Sequence, residues 1–87
     1  MENGYTLYKK LGIVTVRYTF LLKSLNKSLQ EIISEITDFA ETFEAEVEND
    51  DKRNRIIIYG KDIVQSLEIL LFYLEIQLLI QTDDRNV

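Results

Sequence analysis

From Ile13 to Phe20 apolar and polar positions alternate: Val14, Val16, Tyr18 and Phe20 on one side, Thr15, Arg17 and Thr19 on the other. A period of two predicts a half-buried strand, and the β-branched and aromatic residues suit one. At Leu21 the period changes. Leu22, Leu25, Leu29, Ile32, Ile33, Ile36 and Phe39 share one arc of a helix, with Lys27, Glu31, Ser34 and Asp38 opposite, so Leu21–Ala40 is read as one amphipathic helix. Ser24 or Ser28 caps its start, and Ser28 with Glu31 has capping-box spacing. Alternation returns at Thr42–Glu48, with Phe43, Ala45 and Val47 against Glu44, Glu46 and Glu48. The turn-forming run Asn49–Asn54 then leads into a third strand, Arg55–Tyr59, making a hairpin. If Ile56 and Ile58 join Phe43 and Val47 in the core, Arg55 falls on the glutamate face, and Ile57 and Tyr59 point outward. Gly60 ends that strand.

The last helix, Lys61–Gln81, has a different pattern. At 100° per residue it is apolar on two opposite sides. Ile63, Val64, Leu67, Leu70, Leu71, Leu74 and Leu78 form one, and Ile69, Phe72, Tyr73, Ile76, Leu79 and Ile80 the other. Glu68 with Glu75, and Ser66 with Gln77, form thin polar seams between them. Asp62 and Gln65 have capping-box-like spacing at its start. A helix apolar nearly all round has to be buried, and 87 residues hardly suffice to surround it. The first side is therefore expected on the chain's own sheet and the second on a partner. The competing reading packs the second side on the N-terminal segment or first helix of the same chain.

The order β-α-β-β-α predicts an α+β fold, a three-stranded antiparallel sheet with two helices on one face. Residues 1–87 form one domain. Within it residues 1–10 are either a loose end or, through Tyr5 and Leu7, an extension of the first strand, and residues 82–87 are a frayed tail.

Composition narrows the function. The chain has no cysteine and no histidine, which removes disulfides, thiolate metal sites and the usual general base, and favours a cytoplasmic protein. No charged region followed by an apolar run marks a signal peptide at the N-terminus. The apolar run Leu67–Ile80 is short for a membrane span and carries Glu68 and Glu75, so no membrane span is expected. Net charge is −5, with residues 1–30 basic and the remainder carrying fourteen acidic against five basic side chains. Such a surface repels phosphate backbones, so any nucleic acid is expected to be contacted only indirectly.

Chemistry-bearing patterns are sparse. Glu44, Glu46 and Glu48 on one strand face are a solvated row rather than a cation site. Asn49-Asp50-Asp51 lacks the spacing of a calcium loop, the three glycines are isolated, and the serines have no histidine to activate them. No catalytic, cofactor-binding or metal-ligating residue is expected. The expected partner interface is Ile69, Phe72, Tyr73, Ile76, Leu79 and Ile80, with Ile57 and Tyr59 as a second contact.

Within residues 12–81, RYTFLLKSLNKSL resembles the strand running into the first helix of the small dimerising subunit of KEOPS, and KDIVQSLEILLFYLEIQLL resembles its last helix. KEOPS is the archaeal and eukaryotic machinery that makes threonylcarbamoyladenosine in transfer RNA. The family's last helix reads Asp, four residues, Leu-Arg, then Asn one turn on. Asp62 and Leu67 match, whereas Glu68 and Phe72 replace the Arg and Asn. The resemblance implies a non-catalytic accessory subunit, a diverged paralogue pairing with a paralogous small subunit or with itself. The two departures weaken docking on the catalytic subunit. A stand-alone homodimer binding a small effector is the alternative, and an acidic mimic of nucleic acid a third.

Overall fold

A computed structural model describes residues 12–85. The order is β1 (Ile13–Arg17), α1 (Tyr18–Ser24), α2 (Leu29–Glu41), β2 (Glu46–Asp50), a 3-10 turn (Asp51–Arg53), β3 (Arg55–Tyr59) and α3 (Ile63–Arg85). The strands form an antiparallel sheet in the order β1-β3-β2. The α+β class and the antiparallel sheet match the sequence reading, with one helix more than expected. The suggested strand extension through Tyr5 and Leu7 lies outside the described residues.

Alternation sets the sheet's two faces. Val14 and Val16 pair with Ile58 and Ile56, Val47 flanks Ile58, and all five turn toward the helices. They join Leu21, Leu25, Ile32, Ile36, Ala40, Ile69, Leu70 and Tyr73 in one core. Leu21, Ile32, Ile36, Ile56, Ile58 and Ile69 are the large apolar side chains sealed from water. Burying each contributes roughly 1.5–3 kcal/mol, which is how so short a chain holds together. The far face carries the cross-strand rows Ile13–Tyr59–Glu46, Thr15–Ile57–Glu48 and Arg17–Arg55–Asp50. In the last row Arg55 Nε donates to Asp50 Oδ2 at 3.0 Å, an opposite-charge pair made with an aspartate read from the sequence as part of the turn and not with the glutamates.

Several boundaries differ from the pattern reading, for local reasons. β1 ends at Arg17 rather than Phe20, where the chain turns into α1; the Tyr18 amide still donates to Asn54 O (2.8 Å) in the register of the sheet, and its hydroxyl reaches Asn49 and Asp51 in the hairpin. Phe20, expected in the core, stands on an exposed turn of α1. The expected single helix breaks at residues 25–28: Leu25 is extended (φ −121°, ψ 141°), and Ser28 caps α2 with the reciprocal Glu31 bonds of a capping box. Ser24, Asn26 and Ser28, which all compete for backbone hydrogen bonds, fall within five residues there. β2 starts at Glu46 rather than Thr42, since α2 continues to Glu41 and closes through Ala45 N to Ala40 O (3.0 Å), with Glu44 left-handed at φ 59°. That closure is the usual helix-terminating geometry, here with glutamate in the place glycine prefers. It leaves Phe43 outside the strand, edge-on to Phe39 (centroids 5.3 Å). At the other end α3 runs through Arg85, and residues 86–87 of the expected tail lie outside the described residues.

Candidate interaction surface

The position of α3 is fixed at its first turn. Asp62 Oδ1 accepts from Gln65 N (2.8 Å), and Gln65 Oε1 accepts from Lys61 N (2.8 Å), so the anticipated cap is present with its return bond one residue earlier. Ser66 ties this end to the sheet. It is fully buried, accepts from Gly60 N (2.6 Å) after β3 and donates to Gly12 O before β1. No local sequence signal marks that role.

Ser66 thus determines which side of α3 faces inward. The buried positions are Ser66, Ile69, Leu70, Tyr73 and Gln77, with Leu74 partly covered, a single stripe at helical spacing. The Ser66–Gln77 seam, read from the sequence as a divider between two apolar sides, is the centre of the buried stripe. Each apolar side therefore lends two residues to the core, Leu70 and Leu74 from one, Ile69 and Tyr73 from the other. The expectation that Ile69 and Tyr73 meet a partner is overturned: they are 0% and 2% exposed. Tyr73 Oη donates to Glu35 Oε1 (2.8 Å), whose other oxygen accepts from Lys27 Nζ (2.6 Å), and its ring lies 6.4 Å from that of Phe39. Gln77 is buried too, and its Oε1 has no donor among the described residues.

Phe72, Ile76, Leu79 and Ile80, the rest of the expected interface on α3, are exposed along one flank. Sequence reasoning missed the other flank: Ile63, Val64, Leu67, Leu71 and Leu78, expected on the sheet, are exposed as well. Glu68 and Glu75 run between the flanks on the outermost line. The nine exposed side chains are 42–61% accessible, on one helix of a small domain. Exposed apolar surface of that extent, in two flanks divided by the glutamates, makes this helix the candidate interaction surface of the domain.

Ile57 and Tyr59 do not join this surface. They lie on the far face of the sheet, where Ile57 is buried (6% exposed) between its register partners Thr15 and Glu48 on the two edge strands. Tyr59 is half-buried and donates to Glu48 Oε1 (2.6 Å). Ile57 is therefore closed to a partner, a correction to its expected role. Glu44 sits in the turn after α2, away from Glu46 and Glu48, so the anticipated glutamate row does not form. Among the described residues no group of three acidic side chains is placed to hold a metal ion. A shallow cleft lies beside the start of α3, lined by Phe43, Lys61, Asp62, Val64, Gln65 and Glu68. Its Asp62 and Gln65 side chains are engaged in the helix cap.

By length and composition Ile63–Ile80 is apolar enough to cross a membrane, with mean hydropathy 1.8, a longer stretch than Leu67–Ile80. Spanning would strip Ile69, Leu70 and Tyr73 from the core and place Glu68 and Glu75 in hydrocarbon, a cost of several kcal/mol.

Three tyrosine hydroxyls are held above their ordinary range. Burial first, then the hydrogen bond and charge of Asp51, push the Tyr18 hydroxyl up to about 12. The bond to Glu48 first, then burial, push Tyr59 up to about 12. Burial and Glu35 raise Tyr73 further. A raised folded-state value means that the neutral hydroxyl is the form the fold holds. The stability it contributes is complete below the unfolded value near 10 and disappears as pH rises through about 12. The urea midpoint should accordingly be level from pH 7 to 9 and fall between pH 10 and 12. Tyr18→Phe should make that fall shallower, and an equally steep fall in the variant would remove Tyr18 from the account.

No protein-family model, curated protein or solved structure matches this chain.

Proposed function

We propose that this chain is a non-catalytic association subunit that binds another protein through the exposed apolar flanks of α3. The observation that carries this reading is the nine large apolar side chains left 42–61% exposed on that one helix. Fully burying a Leu, Ile or Phe contributes roughly 1.5–3 kcal/mol, and these side chains are already about half covered, so covering all of them would contribute about as much as the stability of a small domain. The resemblance to the small KEOPS subunit supplies the assembly: an accessory, dimerisation subunit of a cytoplasmic tRNA-modifying complex, touching tRNA only through its partners. The three-stranded antiparallel α+β architecture and the Asp62 cap of the last helix support that reading. Glu68 and Phe72, where the family pattern has Arg and Asn, are both exposed on α3, so the docking surface differs in charge and shape from the family's. This favours a paralogous small subunit as partner over the catalytic subunit.

The test is co-expression with a KEOPS small subunit and, separately, its catalytic subunit, followed by light scattering of the purified material. A defined complex with the small subunit is expected. Phe72→Glu should abolish it while leaving the melting temperature within about 3 °C of the parent, since surface changes cost little stability. A complex untouched by Phe72→Glu would remove that flank from the interface, and a chain that binds neither subunit would refute the KEOPS reading.

A further inference from the structure

The flank of α3 that sequence reasoning placed inward has an ordered spacing of its own. Val64, Leu67, Leu71, Leu74 and Leu78 recur at intervals of three and four, the a/d spacing of a two-helix seam. Val64, Leu67 and Leu71 are exposed, whereas Leu74 leans on the chain's own core. The two borders of this seam are unlike. On one side run Leu70 and Gln77, both buried in the fold. On the other run Glu68 and Glu75, both exposed and one heptad apart. No Lys or Arg occurs between Ile63 and Ile80.

These borders distinguish the possible occupants. A second copy laid antiparallel across the seam sets the glutamate border against itself, Glu68 and Glu75 facing their own equivalents. A second copy laid parallel needs the Leu70–Gln77 border, which the body of the domain already covers. A different helix escapes the like-charge contact if it brings positive charge to the glutamate side, the one border of the seam that is open. We infer that the Val64–Leu67–Leu71 seam binds an amphipathic helix of another protein, apolar at its own a and d positions and carrying Lys or Arg where it passes Glu68 and Glu75. This rests on the association reading above and gives the partner its chemistry: apolar contact supplies affinity, and the glutamates select the charge of what binds.

The full chain can be titrated into two fluorescein-labelled 21-residue peptides and followed by anisotropy. Both have leucine at a and d and alanine elsewhere, except that the e and g positions are lysine in one and glutamate in the other. The lysine peptide should bind at least tenfold more tightly, with the preference shrinking in 1 M salt. The Glu68→Lys/Glu75→Lys double variant should reverse the preference. Leu71→Ser should weaken binding of the lysine peptide at least tenfold with the melting temperature little changed. Glu46→Lys/Glu48→Lys, on the far face of the sheet, should leave the preference intact. Equal binding of both peptides, or a preference that follows Glu46 and Glu48, would overturn the inference. So would binding that appears only after residues 1–11 are removed, since the chain's own start would then be the occupant. A homodimer in light scattering that Leu71→Ser dissociates would overturn it too, while leaving the association reading standing. A monomer that binds neither peptide refutes the seam alone if co-expression still yields the Phe72-dependent complex, and the association reading as well if it does not.

Discussion

Replacing Ile69 by aspartate is expected to unfold the chain at room temperature. Ile69 is fully buried in the core formed by α2, α3 and the inner face of the sheet. Truncating such a side chain to alanine alone costs about 2–5 kcal/mol. An aspartate there also carries a carboxylate into an apolar site, and even as the neutral acid it costs further free energy. A domain of this size has about 5–10 kcal/mol to lose, so the folded state should no longer be the populated one. Circular dichroism and a proton–nitrogen correlation spectrum would show it as lost helicity and collapsed dispersion. Leu67→Asp, two residues earlier at 45% exposure, is the comparison and should keep the cooperative melt. An Ile69→Asp variant melting within a few degrees of the parent would mean that the inward side of α3 is wrongly assigned.

That contrast shows where the sequence was silent. Hydrophobic periodicity locates a helix's inward side only when apolar residues are confined to one arc. Residues 63–80 are apolar nearly all round, so the pattern fixed the existence of the helix but not its rotation. The residue that fixes the rotation is Ser66, through bonds to Gly60 N and Gly12 O, the second of them 54 residues away in the chain. A polar residue on an apolar helix reads as solvent-facing unless that distant backbone is known. Hence a seam drawn as a boundary turned out to be the middle of the buried face, and Ile69 and Tyr73 moved from the expected interface to the core. The excess of apolar surface was legible all the same, because it depends on composition and chain length rather than on rotation. Phe72, Ile76, Leu79 and Ile80 remain exposed for that reason.

The sheet was more legible than the helices. Arg55–Tyr59 was bounded correctly because a β-branched run lies between a turn signal and Gly60, so local pattern and tertiary role agree. Ile57 was placed on the correct face, but alternation does not say that its strand is central, and the two flanking strands are what close it off. Ser28 with Glu31 was readable as a capping box, though it starts a second helix instead of the first. The missed break before it follows from the same residues, which favour capping over continuation without declaring which will occur.

Gly60→Ala tests the junction that sets this rotation. The backbone at Gly60 is not left-handed, so glycine is required there for space and not for conformation. A Cβ at Gly60 would lie 2.7 Å from Ser66 Oγ, 2.9 Å from Ser66 N and 3.0 Å from Gln65 Oε1. The backbone nitrogen belongs to the first turn of α3 and cannot swing aside, so relief requires the start of the helix to move. Moving it lengthens the Gly60 N–Ser66 Oγ bond, now 2.6 Å, and the bond from Ser66 to Gly12 O. Crowding costs about 1–3 kcal/mol and the weakened hydrogen bond about 1 kcal/mol more, so a loss of roughly 2–4 kcal/mol is expected. For a chain of this length that is a fall of roughly 10–25 °C in melting temperature. Ser66→Ala removes the hydroxyl that the new methyl group meets, so the double variant should cost less than the sum of the two single changes. The association measured with Phe72→Glu should weaken in Gly60→Ala as well, because Phe72 turns with the helix that carries it. A Gly60→Ala protein melting within 2 °C of the parent would show that the first turn of α3 does not rest on Gly60, and the rotation assigned to its exposed flanks would lose its anchor.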